Sequence, residues 1–125
     1  MLMSGANESM DVKDLMRHIV YRNGYSASTK QIKWFWKLVE KDMTDDDRSK
    51  LLKFTTSCPR APLMGFGSLQ PPINITKMDT SSPNEKLPTA STCFNILRIP
   101  PYSSEKILRE KVMYAIHSNA GFECA

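Results

Sequence analysis

An α+β fold, with a small mixed sheet packed with helices, follows from three features of this 125-residue chain. Apolar residues recur at helical spacing in several stretches. Two short runs, Ile73–Met78 and Asn95–Ile99, have strand character. Proline- and glycine-rich segments separate these elements. Hydrophobic content of 41% and charged content of 24% are those of an ordinary globular protein, so one domain with a real core is expected rather than two large ones.

The first element is amphipathic: Asp11 and Asp14 open a stretch in which Val12, Leu15, Met16 and Ile19 recur at helical spacing. It ends at Tyr21-Arg22-Asn23-Gly24-Tyr25, where Asn-Gly marks a turn. The strongest helix signal follows. Ser28 with Gln31 fits a capping box, and Ile32, Phe35, Trp36 and Val39 form a stripe that reads as core packing. Thr44 before Asp45-Asp46-Asp47 starts another helix, the acids complementing its dipole on a solvated face rather than marking a metal site. That helix runs through Leu51, Leu52 and Phe54 towards Thr55-Thr56-Ser57-Cys58-Pro59.

Pro59 to Pro72 reads as an ordered loop. Gly65 and Gly67 within it make no phosphate loop, since no Gly-Lys-Ser/Thr follows. Ile73–Met78 alternates as a half-buried strand does, and the polar stretch Asp79–Lys86 reads as an exposed, mobile loop. Asn95–Ile99 is a strand that Pro100-Pro101 must end, because proline offers no ladder donor. Ser103 or Ser104 then caps a final helix whose Leu108, Val112, Ala115 and Ile116 share one face, ending near Asn119.

Several function classes are disfavoured at this point. The formal charge of +4 is mild and its basic residues are scattered; Lys30, Lys33 and Lys37 beside Trp34 and Trp36 read as a solvated helix face, with no nucleic-acid motif. No apolar run reaches the ~18 residues of a membrane span. Met1-Leu2-Met3-Ser4-Gly5 lacks the basic and apolar regions of a secretory signal. Cys58, Cys93 and Cys124 are odd in number and widely spaced, which argues against a disulfide framework or a zinc site and for a reducing compartment, cytoplasmic or nuclear.

Chemistry concentrates at Leu87-Pro88-Thr89-Ala90-Ser91-Thr92-Cys93-Phe94-Asn95. A thiol where a loop enters a strand can be held firmly yet remain accessible; equally, a lone cysteine can be a buried hydrophobe. A cysteine hydrolase needs a nearby base, and only His18 and His117 are available, both better suited to surface or helix-terminal positions. Redox chemistry lacks a neighbouring second thiol. Thiol exchange asks less: a thiolate attacking a thioester expels another thiolate, so the step is near thermoneutral and needs no strong base. Thr92 and Asn95 are placed to orient the thiol or the thioester carbonyl, or else to satisfy backbone groups of the loop and strand end.

The combination of residues resembles a known family. Leu87-Pro88-x-x-x-Thr92-Cys93-Phe94-Asn95 is similar to the active-site signature of HECT-type ubiquitin ligases, and many members carry histidine where this chain has Ser91. Ile32-Lys33-Trp34-Phe35-Trp36, Leu51-Leu52-Lys53-Phe54-Thr55-Thr56, Arg60-Ala61-Pro62, Gly65-Phe66, Tyr102, Ser104, Leu108 and Gly121-Phe122 follow the family's order and spacing across nearly the whole chain. Thr56-Ser57-Cys58-Pro59-Arg60 resembles most the branch containing the E-three-B and E-three-C ligases.

The resemblance implies the fold of the HECT C-lobe for residues 23–125, preceded in residues 1–22 by the end of the N-lobe and the hinge, the latter near Tyr21–Tyr25. Met1 falls within an N-lobe-like motif, so a longer parent protein is expected. The first helix would then lack its natural partner and be frayed or packed non-natively. The resemblance also implies that Cys93 accepts ubiquitin as a thioester from a ubiquitin-conjugating enzyme, which docks through the missing N-lobe, and passes it to lysines of protein substrates. Phe122 would help place the acceptor lysine, with no cofactor involved. The rival reading is a truncated, non-catalytic ubiquitin-binding or interaction module.

Overall fold

The computed structural model describes residues 11–58 and 62–118, so the expectations for Arg60, Ala61, Gly121 and Phe122, and for the segment before Asp11, lie outside the described residues. Within them, four strands form one mixed sheet in the order β1-β2-β4-β3. Strands β1 (Val20–Arg22), β2 (Asn74–Lys77) and β4 (Ile96–Ile99) run parallel, and β3 (Thr89–Ser91) closes one edge antiparallel to β4. Alternation along β4 sets the two faces: Leu97 and Ile99 are buried, whereas Ile96 and Arg98 point the other way and stay half-exposed. The α+β expectation with a small mixed sheet holds.

Helices α2 (Lys30–Lys37), α3 (Asp45–Thr56) and α4 (Glu105–Ser118) supply the rest of the core; α4 packs on α2 and α3, and α3 lies against β3 and β4. The predicted stripes are the buried ones. Ile32, Val39, Ile75, Ile99 and Leu108 expose nothing, and burying each such side chain is worth about 1.5–3 kcal/mol. Three large polar side chains inside are paired: Tyr25 Oη donates to Ile99 O at 2.9 Å, Gln31 Nε2 to Tyr102 O at 2.8 Å, and Tyr102 Oη to Lys86 O at 2.6 Å. Burial pushes both tyrosine hydroxyls well above their ordinary pKa, so they remain donors.

Local details depart from the sequence reading. The N-cap of α2 is Thr29 rather than Ser28, and Gln31 reaches Tyr102 instead of closing a capping box. The stripe's last member, Val39, lies in a π-helical turn (Leu38–Asp42). Two of its carbonyls, Val39 O and Glu40 O, accept from the Arg48 guanidinium at 2.8 and 3.0 Å. Thr44 caps α3 as expected, and Asp47 completes a capping box there that was not foreseen. Asp47 is not on a solvated face, however: it is 9% exposed and meets His117 Nε2 at 2.9 Å. Ser104, the second of the two candidates, caps α4 through the Ile107 N–H.

Asp79–Lys86 is not a loose loop. Asn84 exchanges two hydrogen bonds with Ser103, and Asn23 Nδ2 donates to Asp79 at 3.0 Å. Nor is the first helix frayed. In α1 (Val12–His18), Val12 and Leu15 are buried, Lys13 pairs with Glu40 at 2.8 Å, and Asp14 Oδ2 accepts the Phe66 N–H at 2.8 Å. Its apolar side is therefore seated on this chain's own body.

Candidate active site

Cys93 occupies the tip of a β-hairpin. Ser91 and Ile96 face each other across β3 and β4, so residues Thr92 to Asn95 are the whole connection. Thr92–Phe94 forms a single 3-10 turn, closed by the Asn95 N–H on Thr92 O at 3.4 Å. Asn95 then takes the left-handed conformation, φ 56° and ψ 42°, which asparagine adopts at less cost than most residues. That geometry reverses the chain into β4, and explains why the strand begins at Ile96 rather than at Asn95.

The turn is anchored from beneath. Asn95 Nδ2 donates to Pro71 O at 2.7 Å, and Asn95 O accepts the Asn74 N–H at 2.9 Å, joining the turn to the entry of β2. Of the two readings for Asn95, this geometry is that of a side chain satisfying a loop carbonyl. Thr92 points inward, 5% exposed, and its Oγ1 is fully buried with no hydrogen-bond partner among the described residues. Cys93 and Phe94 point outward, Phe94 with 63% of its surface exposed. An exposed thiol on a pinned turn meets the access and positioning that thioester exchange requires.

The two histidines sit where the sequence reading put them. His18 ends α1 with Nδ1 3.0 Å from Asp14 O, and His117 lies in the last turn of α4 on Asp47. The backbone N–H of Phe66, helped by His18 and Arg17, holds the Asp14 carboxyl below its ordinary pKa. Burial pulls Asp47 upward, but the Thr44 N–H and His117 outweigh it, and the net shift is downward.

Sequence reading missed β3, one arm of the hairpin, β1 at the opposite edge of the sheet, and the link from Asn95 to Pro71. It also missed Arg98, whose Nη1 donates to Ser91 Oγ at 2.8 Å beside the turn. The alternation Ile96-Leu97-Arg98-Ile99 was the available signal, since it places Arg98 on the face opposite the core. No helix among the described residues is long and apolar enough to cross a membrane.

Comparison with known proteins identifies the family. The family model described as HECT-domain (ubiquitin-transferase) matches residues 1–125, and the chain belongs to this family. It is 41% identical over 98% of its length to ubiquitin-protein ligase E3B of Homo sapiens. It is 42% identical over 98% to E3 ubiquitin-protein ligase UPL6 of Arabidopsis thaliana, and 41% identical over 98% to E3 ubiquitin-protein ligase HUL5 of Saccharomyces cerevisiae. The chain spans 14%, 12% and 13% of those three proteins' own lengths.

Proposed function

We propose that this chain is the catalytic C-lobe of a HECT-type ubiquitin ligase, in residues 23–125, preceded in residues 1–22 by the end of the N-lobe and the hinge. Cys93 is the nucleophile. Its thiolate attacks the thioester carbonyl of ubiquitin carried by a conjugating enzyme; the enzyme's thiolate leaves, and ubiquitin is then bound to Cys93 as a thioester. A substrate lysine, as the neutral amine, next attacks the same carbonyl. The Cys93 thiolate leaves, the lysine nitrogen gives up a proton to water, and an isopeptide remains. The second step is downhill because an amide is more stable than a thioester.

The observation that carries this reading is the exposed Cys93 at the tip of an anchored hairpin, in a chain of this family. Thr92, Asn95 and Phe122 are supporting residues: Asn95 fixes the turn through Pro71, and Phe122 helps place the acceptor lysine. The partners are ubiquitin, a conjugating enzyme bound through the N-lobe, and protein substrates. The cysteine usage supports a cytoplasmic or nuclear setting. Without the docking lobe, effective molarity is lost, so the isolated chain is feeble as a ligase.

The test is formation of a reducible ubiquitin adduct by the ligase joined to its N-lobe, scored on non-reducing gels beside Cys93→Ala. An adduct on wild type alone is expected; an adduct surviving in Cys93→Ala overturns the assignment. Ubiquitin binding with no thioester, even with the N-lobe present, would favour a non-catalytic interaction module.

A further inference from the structure

The open face of the sheet is ordered into two rows by the strand register. One row reads Arg22, Thr76, Arg98, Thr89 across β1, β2, β4 and β3. The other reads Val20, Asn74, Ile96, Ser91, and ends at the pair that closes the Cys93 turn. None of these residues is buried, whereas Ile75, Ala90, Leu97 and Ile99 on the opposite face are. Neither row contains an acid. The other described arginines all meet carboxylates, Arg17 on Asp14, Arg48 on Asp45 and Arg109 on Asp42. Arg22 and Arg98 take part in no ion pair among the described residues, and Asp79, just past β2, is engaged by Asn23.

We infer that this face, through Arg98 and Arg22, selects acceptor segments that carry acidic residues close to the lysine receiving ubiquitin. The inference rests on the transfer reading for Cys93. Geometry supplies the match. The two arginines are two strands apart, roughly 10 Å, and acidic residues three apart in a polyproline II segment lie on one side of it about 9 Å from each other. Their row lies two residues from the pair closing the turn, about 7 Å along the strands. A segment whose lysine reaches Cys93 therefore carries its neighbouring residues onto the row. Thr76, between the cations, donates its hydroxyl to Asn74 Oδ1 in the neighbouring row at 2.6 Å, which leaves the Asn74 amide to donate to the segment's backbone, and the Ser91 hydroxyl holds the Arg98 guanidinium on the side nearest the cysteine. An exposed and a half-exposed cation attract acidic partners and disfavour basic ones, which yields selectivity more than affinity.

The test uses a preformed Cys93 thioester of the ligase joined to its N-lobe, with the conjugating enzyme removed, and two synthetic peptides. Each has one lysine, followed by two glutamates three residues apart or by two glutamines. Discharge to the glutamate peptide is expected to be faster by about three- to tenfold at low ionic strength, the range two exposed ion pairs supply. The ratio should shrink as salt rises, and fall to near one in Arg22→Gln/Arg98→Gln. A wild-type ratio of one, or the same ratio in the double variant, overturns the inference.

A second arm needs no catalysis. In amide NMR of this chain, the glutamate peptide should shift Thr76, Thr89 and Ile96, and should do so less in the double variant. Unmoved signals elsewhere verify that variant's fold. Stronger shifts of the same amides by a single-stranded oligonucleotide of equal charge would overturn the inference in favour of nucleic acid. If no thioester forms at all, the transfer reading falls, while these shifts still decide whether the face takes acidic peptide.

Discussion

The side-chain amide of Asn95 donates to the carbonyl oxygen of Pro71 at 2.7 Å, so the turn bearing Cys93 is bolted to a loop 24 residues earlier in the chain. Asn95 also sits in the left-handed region. Two costs can therefore be separated. Asn95→Gly keeps the backbone conformation and loses the bond, about 1 kcal/mol. Asn95→Ala loses the bond and strains the backbone, about 2 kcal/mol or more together. Urea denaturation should rank alanine below glycine, the reverse of their order in a helix; equal midpoints would show that the conformation carries no cost.

Thr92 gives a prediction of opposite sign. Its hydroxyl is buried without a hydrogen-bond partner among the described residues, so Thr92→Val should raise stability by about 1 kcal/mol or more. Thr92→Ser keeps the hydroxyl and loses a methyl group, and should cost about 1 kcal/mol. Thermal unfolding of both variants decides the matter. A destabilised valine variant would mean the hydroxyl is satisfied after all.

Asp14 fastens α1 through the Phe66 N–H, beside the Lys13–Glu40 pair. Asp14→Ala should release α1 before the rest of the domain opens. Hydrogen exchange is the readout: protection at Leu15 to His18 should fall, while protection in β4 stays as it was. Uniform loss in both elements would show that α1 and the sheet open as one cooperative unit.

Asp47 makes stability depend on acid. Its folded pKa lies below the ordinary value, so its contribution is fully present above the unfolded carboxylate pKa of about 3.9 and drains away as pH falls through the folded value. Melting temperatures measured from pH 7 to pH 3 should fall more steeply for wild type than for Asp47→Asn. Parallel curves would remove Asp47 from the account.

How much of this was legible depends on where each residue's partner lies. Helices α3 and α4 could be read because Leu51, Leu52 and Phe54, and Leu108, Val112, Ala115 and Ile116, repeat over enough turns to show their period. Strands β1 and β3 could not: Val20–Arg22 and Thr89–Ser91 have three residues each, too few for alternation to show. Ser28 and Thr29 are equally good caps in sequence, and only the turn from Ser26 to Thr29, in which the Ser26 N–H meets Thr29 Oγ1, selects the second. The loop at Asp79–Lys86 looked loose because its ties, to Ser103 and to Asn23, are far away along the chain. At the site, the motif exposed Cys93 at once, while the bonds of Asn95 and Arg98 awaited the register of the sheet.

The strand order has a mechanical consequence. Chain entering at α1 reaches the sheet at β1, one outer edge, whereas the cysteine hairpin forms the other. Two inter-strand spacings, roughly 10 Å of hydrogen-bonded ladder, lie between β1 and the hairpin's nearer strand, β4. A pull arriving from upstream is thus borne by the far edge and spread over β2 and β4 before it meets the thiol. Strain applied at β1 is dissipated in the ladder, and the turn at Cys93 keeps its shape.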